Sequence, residues 1–117
     1  HEEKAKEQIK RCTTVYKNLL VLDLRSEEII YAANRFMIYA LFPEANISIH
    51  VMWGLKQQNT VFAIGKSIIN RTSNTDIGKL CLVYGGGGHK NAGTCQLANG
   101  EADEHLMDFI ARINTEG

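Results

Sequence analysis

The sequence holds a single proline, Pro43, and its longest unbroken apolar run is the seven residues from Phe36 to Phe42. A bilayer-crossing helix needs about 20 such residues, so none is expected. No proline-rich linker, internal repeat or low-complexity tract is present apart from one glycine run. The amino end, His1-Glu2-Glu3-Lys4-Ala5-Lys6-Glu7, has no apolar stretch behind its charges and is no secretory leader. Its first residue is not Met, and the chain is expected to be a piece of a longer protein. Cysteine is sparse and odd in number: Cys12, Cys81 and Cys95 lie far apart. That pattern suits free thiols in a reducing cytoplasm better than a secreted disulfide framework.

What is present is ordinary globular composition, 44% hydrophobic and 22% charged over 117 residues. One core should serve a chain of this size, with roughly two-thirds of the unfolded surface buried and no metal or disulfide staple required. A net charge of zero conceals an uneven distribution. Between Lys56 and Lys90 five cations (Lys56, Lys66, Arg71, Lys79, Lys90) face one acid, Asp76, a balance of +4. From Glu101 to Gly117 five acids face Arg112 alone, a balance of −4. A locally basic middle suits an anionic ligand, although a solvated surface explains the counts equally well.

The first dozen residues are charged and helix-prone. Asn18 to Leu24 is a nearly continuous apolar run, which reads as a central strand covered on both faces. Ser26 offers an N-cap with Glu27 and Glu28 in the first turn, and Ile29, Ala32, Ala33, Phe36 and Ala40 follow at helical spacing up to Pro43. The period then changes to two. Ile47, Ile49, Val51 and Trp53 share one strand face, and Ser48, His50 and Met52 the other. Gly54–Asn59 is a polar turn into a second strand at Val61–Gly65. A short helix from Thr75-Asp76 carries Ile77, Leu80, Cys81 and Tyr84. After the glycines come a strand at Ala92–Leu97 and a last helix with Leu106, Phe109, Ile110 and Ile113. The predicted architecture is α/β, a single domain with a mixed sheet of about four to five strands flanked by helices.

The informative segment is Tyr84-Gly85-Gly86-Gly87-Gly88-His89-Lys90-Asn91-Ala92-Gly93. A helix ending at Tyr84 needs one glycine beyond its cap; four exceed that need, and each surplus glycine costs about 0.5–1 kcal/mol of backbone entropy. Successive glycine N–H groups can form a concave anion nest, with His89 and Lys90 beside it. The preceding helix, however, points its negative end at the loop. A flexible cap and turn is the plain alternative.

Other chemistries fit less well. Gly65-Lys66-Ser67 ends like a P-loop, but Thr60 stands where the first glycine belongs. Gly86 and Gly88 fail the dinucleotide fingerprint, because Asn91 occupies the third glycine position. Cys81, His89 and Cys95 lack zinc-site spacing, and Cys95 reads as a buried strand residue rather than a nucleophile. His50 reads as a sheet-face histidine, His105 as a helix-surface histidine, and Trp53 as core.

Residues Gly86 to Thr94 resemble the G-G-G-H-x-x-A-A-G signature of DHH-family phosphoesterases, found in their C-terminal DHH-associated domain. Two positions depart from it: Gly93 replaces the second alanine and Thr94 the closing glycine. Arg71 matches an arginine that precedes the signature. The resemblance implies a helical connector at 1–16 and a DHH-associated substrate-binding domain at 17–117. It implies substrate contacts from Gly86, Gly87, Gly88, His89, Arg71 and Lys90, with the ligand a short oligonucleotide, adenosine bisphosphate, cyclic dinucleotide or polyphosphate. Catalysis and manganese are implied for an N-terminal DHH domain outside this chain, which has no D-H-H and no clustered aspartates. No cofactor or metal is expected on the chain itself, nor catalytic residues, and the expected location is cytoplasmic. A stand-alone nucleic-acid-binding module and a self-associating homodimer are the alternatives left open.

Overall fold

The computed structural model describes residues 2–31, 35–67, 70 and 72–117. In chain order the elements are α1 (Glu2–Cys12), β1 (Thr13–Tyr16), β2 (Leu19–Asp23), α2 (Arg35–Leu41), β3 (Ile47–Trp53) and β4 (Thr60–Lys66). They continue as α3 (Ile77–Val83), β5 (Gly87–His89), β6 (Ala92–Leu97) and α4 (Ala102–Glu116). One mixed sheet of six strands runs β1-β2-β3-β4-β6-β5. Only β2 and β3 pair in parallel, joined by the α2 crossover; the remaining neighbours are antiparallel. The α/β class holds, with six strands in place of four or five. The extra strands are β1 and β5, both short and both at the sheet's edges. A glycine-rich β5 has almost no strand propensity, so pairing with β6 makes it a strand.

Two cores lie on opposite sheet faces. Leu19, Val21, Ile47, Ile49, Val51, Phe62 and Ile64 pack beneath α3 and α4, where Phe62 and Phe109 meet edge-to-face at 5.3 Å. Leu20 and Leu22 project the other way against Ile9 of α1 and Ile38 and Tyr39 of α2. The continuous apolar run of β2 is therefore covered on both sides, as its composition predicts. Buried Tyr39 donates or accepts through its hydroxyl with Ser48 Oγ at 3.0 Å and reaches Gly65 O at 2.9 Å. Tyr39→Phe should cost about 1–2 kcal/mol, read by chemical denaturation, because it strands the buried Gly65 carbonyl and takes a partner from the Ser48 hydroxyl. A loss below a few tenths of that would show that water replaces the hydroxyl.

The predicted helix from Ser26 does not form there. Residues 24–31 are irregular, and α2 begins at Arg35. The cause is tertiary: Gln8 donates to Ile29 O at 2.6 Å and accepts from Tyr31 N–H at 2.9 Å, and Glu27 pairs with Arg11. These contacts hold the segment across α1. Ile29 and Ala40 are consequently exposed, and Ala32, Ala33 and the Phe36 side chain lie outside the described set. Among the described residues no helix is long and apolar enough to cross a membrane.

Candidate functional site

The glycine run begins as a helix cap and ends as a sheet edge. Asp76 caps α3, its Oδ1 accepting from Lys79 N–H at 3.2 Å, and Ile77, Leu80 and Cys81 bury the helix's inner face. At the other end Gly86 N–H donates to Cys81 O at 2.9 Å and Gly85 N–H to Leu82 O at 3.1 Å. This is a Schellman cap, with Gly85 left-handed at φ 81°. The cap satisfies the Cys81 and Leu82 carbonyls, which tempers the negative helix end that faces the loop. The same bonds withdraw the Gly86 N–H from the anion nest that the sequence suggested.

The remaining glycines differ in what requires them. A Cβ on Gly86 would sit 2.2 Å from Thr94 O and 2.6 Å from Cys95 Cβ. Gly88 has φ 148° and would place a Cβ 2.4 Å from Ala92 O. Gly87 has neither problem: nothing lies within 4 Å of its Cβ position, and its φ is unexceptional. The fold accounts for Gly85, Gly86 and Gly88. It does not account for Gly87.

β5 turns through Lys90 and Asn91 into β6, with His89 opposite Ala92. As an edge strand it leaves part of its backbone N–H groups without partners. Exposed His89 accepts from Asn91 N–H through Nδ1 at 3.2 Å, which leaves a neutral ring's proton on Nε2, ready to donate outward. α3 lies close to this strand, since a Cβ on Gly78 would be 3.0 Å from Gly88 O. Between them runs a groove of about 320 Å³, walled by Asp76, Lys79 and Leu82 and floored by Gly87 to Lys90.

The structure thus brings Gly87, Gly88, His89 and Lys90 together. Arg71 lies outside the described residues. Lys66, which sequence reasoning left out, joins the site: its Nζ donates to Ser73 O at 3.2 Å, and its backbone N–H reaches Asn91 O at 3.0 Å. Burial pushes the Lys66 ammonium below its ordinary value and nearby Lys90 adds to this, with Asp76 opposing. Two cations that sense each other make a locally positive corner at the hairpin turn. The available signal was Lys66's place in the basic stretch, but only the sheet register puts it beside Lys90.

Neighbouring candidates separate cleanly. Cys81 and Cys95 are both buried, and the Cys95 thiol is pushed up by its hydrogen bond with Cys81 and by burial, which fits packing and not nucleophilic attack. His105 is half-buried rather than on the surface, flanked by Glu101 and Asp108 and meeting Tyr84 edge-to-face at 5.1 Å. Trp53 is not core: at the end of β3 it runs past the helices, is 37% exposed, and donates to Arg25 O at 2.7 Å. Among the described residues no group of three His, Cys, Asp or Glu could hold a metal ion.

A larger cleft of about 610 Å³ lies beyond the carboxyl ends of β2 and β3, but its charges satisfy one another. Arg25 holds Asp23 through two bonds, at 2.9 and 2.7 Å, and Asp103 at 2.8 Å. The Arg25 guanidinium keeps the Asp23 carboxyl below its usual range. A depressed carboxylate stabilises the fold above its unfolded value, near 3.9, and this contribution disappears as pH falls through the folded value. Asp23→Asn should therefore flatten the stability decline below about pH 4 in acid denaturation. An unchanged acid limb would show that the pair contributes nothing to it.

No protein-family model and no curated protein matches the sequence. Among solved structures, a pGpG-specific phosphodiesterase, PggH from Vibrio cholerae, matches at 60% identity with a TM-score of 0.98. The match covers 100% of this chain and 40% of that one. An exopolyphosphatase-related protein from Bacteroides fragilis shares the fold at a TM-score of 0.67 and 14% identity, over 94% of this chain and 34% of its own. The chain therefore spans less than half the length of either. Its 117 residues are similar throughout to a domain-sized part of a pGpG phosphodiesterase, and the chain is a phosphoesterase-related domain.

Proposed function

We propose that this chain is the substrate-binding domain of a cytoplasmic phosphodiesterase acting on short nucleotides, with 5′-phosphorylated diguanosine dinucleotide the first candidate. The β5 edge would receive the phosphodiester, with the outward His89 Nε2–H donating to a phosphate oxygen. Lys90, Lys79 and Lys66 supply positive charge around it. Holding the phosphodiester fixed lets a catalytic domain elsewhere in the parent protein attack it in line. Manganese is proposed for that domain, as the DHH resemblance implies.

The single observation that carries this reading is Gly87, a glycine with no structural requirement on an edge strand whose backbone a ligand's phosphate could approach closely. Gly87→Ala should leave the melting temperature within about a degree, since its Cβ points into open space. The same variant should weaken binding of pGpG at least tenfold in a calorimetric titration with chelator present. Unchanged affinity would remove the phosphate from this strand. Stronger binding of long single strands than of the dinucleotide, with a steep salt dependence, would favour a general nucleic-acid module instead.

A further inference from the structure

On the face opposite α3 and α4, the sheet is only half covered. α1 and α2 pack over β2 and the lower part of β3, whereas Thr94, Gln96 and Gly87 on β6 and β5 are exposed and Ala63 is half-buried. The register aligns His50, Ala63, Thr94 and Gly87 across four strands on this face. The result is a floor of small side chains leading away from the glycine strand.

At its far end the floor meets a half-enclosed pocket of about 310 Å³. Leu22, Leu24, Ile30, Tyr31, His50 and Met52 line it. Among the described residues no carboxylate or ammonium lines it. The surface is therefore graded, polar at the β5 end through His89 and the Lys90 ammonium, and apolar and aromatic at the β3 end. Three strand spacings separate Gly87 from His50, roughly 14 Å. That is the reach of a dinucleotide and not of a single phosphate.

We propose that this pocket is a nucleobase subsite, taking the planar base of a nucleotide whose phosphodiester lies on β5; the proposal rests on the phosphate reading above. A pocket of this size, apolar with a few polar groups, suits a base, and Tyr31 and His50 offer ring faces. Inorganic polyphosphate would find no partner there. The subsite thus makes the domain select base-bearing substrates over polyphosphate.

The test is a ¹⁵N NMR titration of the 117-residue chain with pGpG and, separately, with tripolyphosphate, both with chelator. The dinucleotide should shift Tyr31, His50 and Met52 together with Gly87 to Lys90, while tripolyphosphate shifts only the latter group. Ile30→Ser, at the half-exposed lip where folding is not at risk, should weaken dinucleotide binding about fivefold and leave tripolyphosphate binding unchanged. Dinucleotide shifts confined to Gly87–Lys90 would overturn the base subsite and leave the phosphate reading standing. An absence of shifts at Gly87–Lys90 with either ligand would overturn both.

Discussion

Gly86→Ala should lower the stability of this domain by about 3 kcal/mol, because the new methyl group collides with backbone rather than with a yielding side chain. Its Cβ position lies 2.2 Å from Thr94 O and 2.8 Å from Cys95 Cα. Relief requires β6 to move from α3 or the Schellman cap to open, and either loosens the cluster around buried Cys81 and Ile77. For a domain of this size the melting temperature should fall by roughly 10 °C or more. The neighbouring Gly87→Ala is the internal control, since it makes the same chemical change one residue away in open space. Equal melting temperatures for the two variants would show that the strand is not seated where the register places it.

His89→Ala should reduce affinity for pGpG by about 10- to 100-fold, the loss expected for one hydrogen bond to a charged phosphate. The side chain is exposed and accepts from the Asn91 N–H two residues on, so folding should be little changed. In the full-length parent protein kcat/KM should fall by a similar factor, with metal content unaltered. His89→Gln keeps an outward donor and should recover part of the loss, which a purely structural role would not produce. Wild-type affinity in His89→Ala would sink the proposed phosphate contact.

Much of this fold was legible from local pattern. The period-two run at Ile47–Trp53, the stripe Ile77, Leu80, Cys81, Tyr84 and the stripe Leu106, Phe109, Ile110, Ile113 all lie where the sequence puts them. Two of the misreadings have a common origin. Ser26 with two following glutamates looks like a helix start, but Gln8 and Arg11, far back in the chain, capture Glu27 and the backbone after it. The glycine run looks like a loop, yet pairing with β6 draws it into the sheet.

The site was legible in the same measure. Amphipathic periods, caps and the glycine–histidine signature belong to contiguous residues, so the sequence by itself determined the α/β class, the helix before the glycines and the placement of His89 and Lys90. Tertiary structure alone decided that Gly85, Gly86 and Gly88 serve the fold while Gly87 does not. It alone put Lys66 beside Lys90, left Trp53 outside the core and kept one sheet face half open. Each of those depends on contacts between residues far apart in the chain, where neither spacing nor propensity carries the information.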